Sequence, residues 1–318
     1  MSSSSQSPDP SRESVETSAA GALSPKTSIR NCMSVDVEEH FQVQAFASSI
    51  DRAHWDSHES RVERNTDRIL AIFDDAGIKS TFFTLGWVAE RHPDLIRRIV
   101  AGGHELASHG YSHVLIHSQT PDEFRADVCR TKSILEDIGG VQVRGYRAAT
   151  FSLDKRCLWA HDVLAEEGYL YSSSIFPVKR DNYGMPDAPR TAYRAGKSQQ
   201  LIEVPLTTVR VFGRNLAYFS GGGFFRLLPY SWSRTALAHV NNNDHAPCIF
   251  YFHPWEIDPD QPRVEHAGWK SKFRHYVNLG VMERKIRAAL RDFAWGRMDE
   301  VFLGDTSGDS ANDNHTVG

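Results

Sequence analysis

The stretch LASHGYSH, residues 106–113, places His109 and His113 four residues apart, a spacing at which two imidazoles can meet at one divalent ion. Two imidazoles do not complete a catalytic metal site, which takes a third protein ligand and leaves one position open for water. Polar residues that could supply the rest stand where other apolar runs end. They are Asp36, Glu38 and Glu39 in MSVDVEEHF, Arg147 in VRGYRAATF, Ser172 to Ser174 in YLYSSSIFP, and His253 in IFYFHPWEID. Two imidazoles and a carboxylate form the ligand set of zinc or a similar divalent ion. Such an ion lowers the pKa of bound water from about 15.7 towards about 7 and polarises a carbonyl oxygen, which is what hydrolysis of an unreactive amide or ester requires.

Within that chemistry each residue type has a task. Strand alternation puts Asp36 and Glu38 on one face and Glu39 on the other, which favours Glu38 as the carboxylate ligand. Pleating ends with the strand, however, so Glu39 stays as the alternative. A second carboxylate, Asp36, would act as general base for water, with Arg147 as its orienting partner. His253 would supply the proton to a departing amine, since imidazole titrates nearest working pH. A backbone N–H after Arg147, for instance at Thr150, would stabilise the oxyanion. Trp255 is the expected substrate contact, whereas Trp87, Tyr111 and Phe176 read as packing.

Bland readings compete at each position. With 15 histidines, a chain places some pairs at this spacing by chance. A buried strand closing on three acidic residues nevertheless invites repulsion unless a cation relieves it. Arg144 reads as an ordinary surface ion-pair partner. Gly221, Gly222 and Gly223 lack both dinucleotide-type spacing and a following Lys-Ser/Thr, and are expected to form a turn.

These residues must be positioned by the elements around them. Short β-rich runs (CMSVDVE, KSTFFTLG, HELASHG) alternate with helical patterns (NTDRILAIFDDAG, HPDLIRRIVAGG). The rhythm continues through the helices TPDEFRADVCRTKSILEDIGG and KRCLWAHDVLAEEG, and later through SWSRTALAHVNNN and VMERKIRAALRDF. Parallel strands joined by crossover helices follow, and in such folds binding groups gather at the strand C-terminal ends. The expected fold class is α/β, a single barrel-like domain over residues 29–303. Residues 1–28 and 304–318 carry hardly any large apolar side chains and are expected to be disordered tails.

Composition narrows the partners. The chain is 40% hydrophobic and 24% charged with a formal net charge of −4, so no basic field advertises nucleic acid. Cys32, Cys129, Cys157 and Cys248 are scattered and expected to be reduced thiols. No secretory leader is evident, and no apolar run approaches the roughly 18 residues of a membrane span, which gives a cytoplasmic expectation. Nothing in the sequence fixes the oligomeric state.

The ordered set of an acidic motif, His-x-x-x-His, an Arg motif, an aromatic strand and a late His-Pro resembles the NodB-type polysaccharide deacetylases, carbohydrate esterase family 4. SVDVEEHFQV, GYRAATFS, YLYSSSIFPV, GGGFFRLLPY and YFHPWEID resemble more narrowly the branch found in exopolysaccharide loci of bacteria with the exosortase system, over about residues 31–303. The resemblance implies a distorted (β/α) barrel of the NodB-homology type and metal-dependent removal of N-acetyl groups from amino sugars of a bacterial polysaccharide or its precursor. It implies Asp36 as base, His109 and His113 as ligands of a divalent ion, Zn2+ by expectation, Arg147 as the residue steadying the base and His253 as acid. Three departures stand out. Asp-Val-Glu-Glu replaces the commoner Asp-Asp, Ala149 stands where a proline is usual, and Ser172 stands where related chains often carry aspartate. If that aspartate tunes the acid, Ser172 would leave His253 with a different pKa. A hydrolase of another C–N amide, as in allantoinase-like relatives, and a catalytically weak carbohydrate-binding protein are the competing expectations.

Overall fold

The strand Asn31–Val37 (β1) is buried at all seven positions, as a strand covered on both faces must be. Ten further strands follow in the computed structural model, which describes residues 29–179 and 183–304. They are Thr81–Thr84 (β2), Glu105–Ser108 (β3), Gly145–Tyr146 (β4), Tyr171–Ser172 (β5), Tyr193–Ala195 (β6), Leu201–Glu203 (β7), Val209–Val211 (β8), Arg214–Leu216 (β9), Ile249–Phe252 (β10) and Trp295–Gly296 (β11). The helices are Val62–Asp75 (α1), Gly86–Arg91 (α2), Pro93–Ala101 (α3), Pro121–Gly139 (α4), Ala160–Glu166 (α5), Gly222–Leu227 (α6), Tyr230–His239 (α7), Trp269–Tyr276 (α8), Met282–Asp292 (α9) and Met298–Phe302 (α10). The expected tails, apart from Gly304, lie outside the described residues.

The main sheet runs β10-β1-β2-β3-β4-β5-β7-β6, with β11 also paired to β1. Every pairing is parallel except β6 with β7. The sheet curls into a half-barrel. On the outer side of β10 irregular chain takes the place of a strand: Tyr251 N donates to Ser220 O at 3.0 Å and Ile249 N to Thr207 Oγ1 at 2.7 Å. The sequence-derived strands around Arg147 and Ser172 shrink to two residues each.

Alternation sorts the core into two. Met33, Val35 and Val37 belong to a large cluster with the apolar faces of the covering helices, among them Ile69 and Phe73 of α1 and Ile286 of α9. Cys32, Phe83, Ala107, Tyr171, Ile249 and Met298 form a second cluster inside the curl. The Thr120 side chain accepts from Glu123 N in a capping box that starts α4, and Gly140 closes that helix at φ 65°. The cavity bottom is polar but satisfied. Glu105 accepts from Thr81 Oγ1, Tyr171 OH and Asp299 N, and Arg144, expected at the surface, pairs with buried Asp299.

Gly221 to Gly223 do not form the expected turn: α6 begins at Gly222. Gly221 sits at φ 139° against β10, where an added Cβ would lie 1.9 Å from Tyr251 O. Only a residue without a side chain allows this approach. Gly221→Ala is expected to destabilise the fold by about 2–4 kcal/mol through strain and displacement of β10. Urea denaturation followed by circular dichroism measures it; an unchanged midpoint would contradict this packing.

Candidate active site

The interior positions of the strands continue past their ends. Cys32, Ser34 and Asp36 alternate inward along β1, and Glu38 follows at the same period. Ala107 is succeeded by His109, Gly145 by Arg147, Tyr171 by Ser173, and Tyr251 by His253. Because β1, β3, β4, β5 and β10 are mutually parallel, these groups emerge at one end of the half-barrel.

Glu38, His109 and His113 converge, each offering a ligand atom within 4.8 Å of the others, and all three are buried. His109 Nδ1 lies 2.8 Å from Arg147 O. A carbonyl only accepts, so Nδ1 carries the proton and Nε2 keeps its lone pair for the cluster. Burial lowers the pKa of His109, and burial with neighbouring imidazoles pushes His113 well below the ordinary value, so both rings are neutral, the form that binds metals. Burial raises Glu38 to about 7 against the opposing effects of His253 and the Trp255 hydrogen bond. Its Oε2 is buried, accepts no hydrogen bond, and lies 3.1 Å from His113 Nε2. An orphaned carboxylate oxygen beside two neutral imidazoles fits a divalent cation.

Glu39 faces elsewhere. Its carboxylate accepts from Arg61 N at 2.9 Å, Val62 N at 3.1 Å and Ser60 Oγ, so it caps the start of α1. Sequence alternation separated the two glutamates, but what Glu39 binds lies more than 20 residues downstream and was not legible.

Arg147 is fully buried and donates from Nη1 to Asp36 Oδ1 at 2.6 Å and Ser34 Oγ at 2.8 Å. Nη2 reaches Ser173 Oγ at 3.2 Å, and the guanidinium lies over Phe83 at 4.0 Å. His253 Nε2 lies 3.9 Å from Asp36 Oδ2 and 3.6 Å from Glu38 Oε1. Burial alone would lower the pKa of His253, but Glu38, Glu256 and Asp36 outweigh it and hold it at about 9. The other ring nitrogen, Nδ1, is 2.8 Å from Glu256 Oε1, and Arg226 Nε donates to Glu256 Oε2 at 2.8 Å. Against burial, Arg226 and His253 hold the Glu256 carboxyl low.

Two sequence expectations change. Ser172 donates to Ser174 Oγ, and His253 has an anionic neighbour without an aspartate there, because Glu256 on its own following turn supplies one. Trp255 is 7% exposed, with its ring stacked between His253 and His275 at 5.0 and 4.0 Å. It offers no open face to a sugar; its Nε1 instead donates to Glu38 Oε1 at 3.2 Å. Glu256 and Arg226 were missed by sequence reasoning, although the acid three residues after His253 was a local signal. Thr150 lies on the loop after Arg147 at φ 55°, and His113 is at 54°; non-glycine residues held there are a frequent mark of functional loops.

Residues 51–169 match the family model described as polysaccharide deacetylase, and residues 173–303 match that of a domain of unknown function, DUF3473. A peptidoglycan-N-acetylglucosamine deacetylase of Bacillus cereus is 36% identical over 75 residues, which are 24% of this chain and 27% of the relative's length. Among solved structures, Puue allantoinase superposes with a TM-score of 0.56 at 17% identity, covering 89% of this chain and 92% of its own. A Mycobacterium smegmatis protein assigned as a polysaccharide deacetylase gives 0.53 at 22%, covering 88% and 91%. Residues 51–169 are therefore similar to polysaccharide deacetylases, and the chain shares the fold of the two solved structures. His109, His113 and Arg147 fall in the first matched segment and His253 in the second, while Asp36 and Glu38 precede both.

The two adjacent glutamates separate experimentally. Glu38→Gln is expected to weaken Zn2+ binding by more than about tenfold in calorimetry. Glu39→Gln should leave binding near the parent value and cost about 1 kcal/mol of stability through the lost cap. The reverse pattern would exchange their roles.

Proposed function

We propose that this chain is a divalent-metal-dependent hydrolase that removes N-acetyl groups from amino sugars of a polysaccharide. The observation that carries the reading is the convergence of Glu38, His109 and His113 beside an Asp36 clamped by Arg147 and a His253 backed by Glu256. Glu38, His109 and His113 would hold the ion, and two imidazoles with one carboxylate favour zinc. When bound, the ion supplies acidified water and polarises the acyl oxygen.

The chain's own residues do the rest. Asp36 accepts the proton of the attacking water, and Arg147 fixes the carboxylate and balances its charge. His253, charged and held by Glu256, passes a proton to the departing amine, which otherwise leaves poorly as an anion. A backbone N–H on the left-handed loop at Thr150 would add to oxyanion stabilisation. Trp255 holds Glu38 in place rather than touching the sugar. The reading extends to bacterial exopolysaccharide or its precursor as the glycan, on the strength of the motif resemblance. Among the described residues no helix is long and apolar enough to cross a membrane.

Acetate release from N-acetylated chitooligosaccharides, with metal content measured in parallel, tests the reading. His109→Ala is expected to lose both; retention of both would remove His109 from the mechanism. Asp36→Asn should keep the metal and lower kcat by about 10²–10⁴. Chelation should abolish turnover and added Zn2+ restore it. Turnover of allantoin in place of acetate release would assign a different amide.

A further inference from the structure

Beyond the ends of β5 and β7, on the same side as the site, lies a cleft of about 870 Å³ between the segment after Pro177 and the β8–β9 hairpin. Asn215 Nδ2 donates to Pro177 O at 2.9 Å and ties the hairpin to that segment. An aromatic path joins the cleft to the site: His253 meets Tyr251 at 6.0 Å, Tyr251 meets Phe151 at 4.8 Å, and Phe151 meets Phe176, next to Pro177, at 5.6 Å. A cleft of this volume suits more than one sugar ring.

Its charge is one-sided. Among the described residues, Lys179, Arg190, Arg210 and Arg214 line it against one acid, Asp187. Arg190 is engaged by Asp244, and Asp187 by Lys155. Among the described residues, Lys179, Arg210 and Arg214 have no ion-pair partner, in a chain whose formal net charge is −4. Arg210 and Arg214 stand on opposite strands of the hairpin and Lys179 on the facing wall, so the positive charge is spread along the cleft. A compact phosphate is met by convergent donors, often at a helix N-terminus, whereas dispersed cations suit an anion whose charges are dispersed too. Pro177, Val178 and Tyr218 add apolar wall against which ring faces can lie.

We infer that this cleft binds the carboxylate-bearing neighbours of the N-acetyl sugar, so that the substrate is an acidic polysaccharide with uronic acid residues rather than a neutral one. The inference rests on the deacetylase reading for the reacting sugar alone; binding in the cleft is measurable without turnover.

The test compares a neutral chitooligosaccharide with an oligosaccharide of equal length alternating N-acetylglucosamine and glucuronic acid, using the full chain. Acetate-release kinetics and calorimetric affinity are both read. The parent is expected to favour the acidic chain by about tenfold in KM, less so at high salt. In Lys179→Gln/Arg210→Gln/Arg214→Gln the ratio should fall to near one and the calorimetric affinity for the acidic chain should drop about tenfold. Should that variant melt early, Arg214→Glu alone provides the same readout. No preference in the parent, or an undiminished preference in the variant, overturns the inference. So does displacement of the acidic chain by inorganic phosphate at equal concentration, which would mark a phosphate site. If neither glycan releases acetate, the deacetylase reading fails, and the calorimetric ratio still decides what the cleft binds.

Discussion

The ion pair of Arg147 with Asp36 sits inside the curl of the sheet, with the guanidinium fully buried and the carboxylate 2% exposed. Removing either partner would strand the other charge in a dry interior, a penalty of about 3–5 kcal/mol. The pair is satisfied on every side: Ser34 and Ser173 take further guanidinium hydrogens, and Phe83 covers its face. The same residue reaches the Glu38–His109–His113 cluster through its backbone, since Arg147 O receives His109 Nδ1–H. Its side chain fixes Asp36 and its carbonyl fixes His109, so one residue ties the two halves of the site together.

Outward from that pair the charges alternate. Arg147 faces Asp36; Asp36 and Glu38 face His253; His253 faces Glu256; Glu256 faces Arg226. Arg226 in turn is saturated by the carbonyls of Arg274, His275 and Val277. In a low-dielectric interior such a line holds only if each charge has an opposite neighbour with good geometry, and here each has. The one group left short is Glu38, whose Oε2 accepts no hydrogen bond. The place where the network is incomplete is the place where two neutral imidazoles arrive.

Much of this was legible because strand period two extends past the strand ends. Asp36 with Glu38, and His109, Arg147 and His253, each fall two residues beyond an inward-facing position, so locating the apolar runs located the groups. Contacts that depend on how distant segments pack were not legible. Glu39 caps a helix that begins after a long irregular excursion, Trp255 is enclosed by a histidine from α8, and Arg226 arrives from a helix opened by glycines that resemble a turn. Sequence types alone gave Trp255 to the sugar because an aromatic ring at a strand end looks the same whether its faces are free or covered.

Pairing of the first strand with the tenth has a further consequence. Val35 lies beside Phe252, and Trp255 bonds to Glu38 across 217 residues of chain, so Asp36 and His253 belong to neighbouring strands that are far apart in sequence. A nascent chain leaving the ribosome would hold β1 with one edge unmatched until β10 had emerged, with high contact order slowing that closure. The cluster around Asp36 and Glu38 would thus be completed only once β10 has emerged, and a copy halted before then would carry His109 and His113 without His253 beside them.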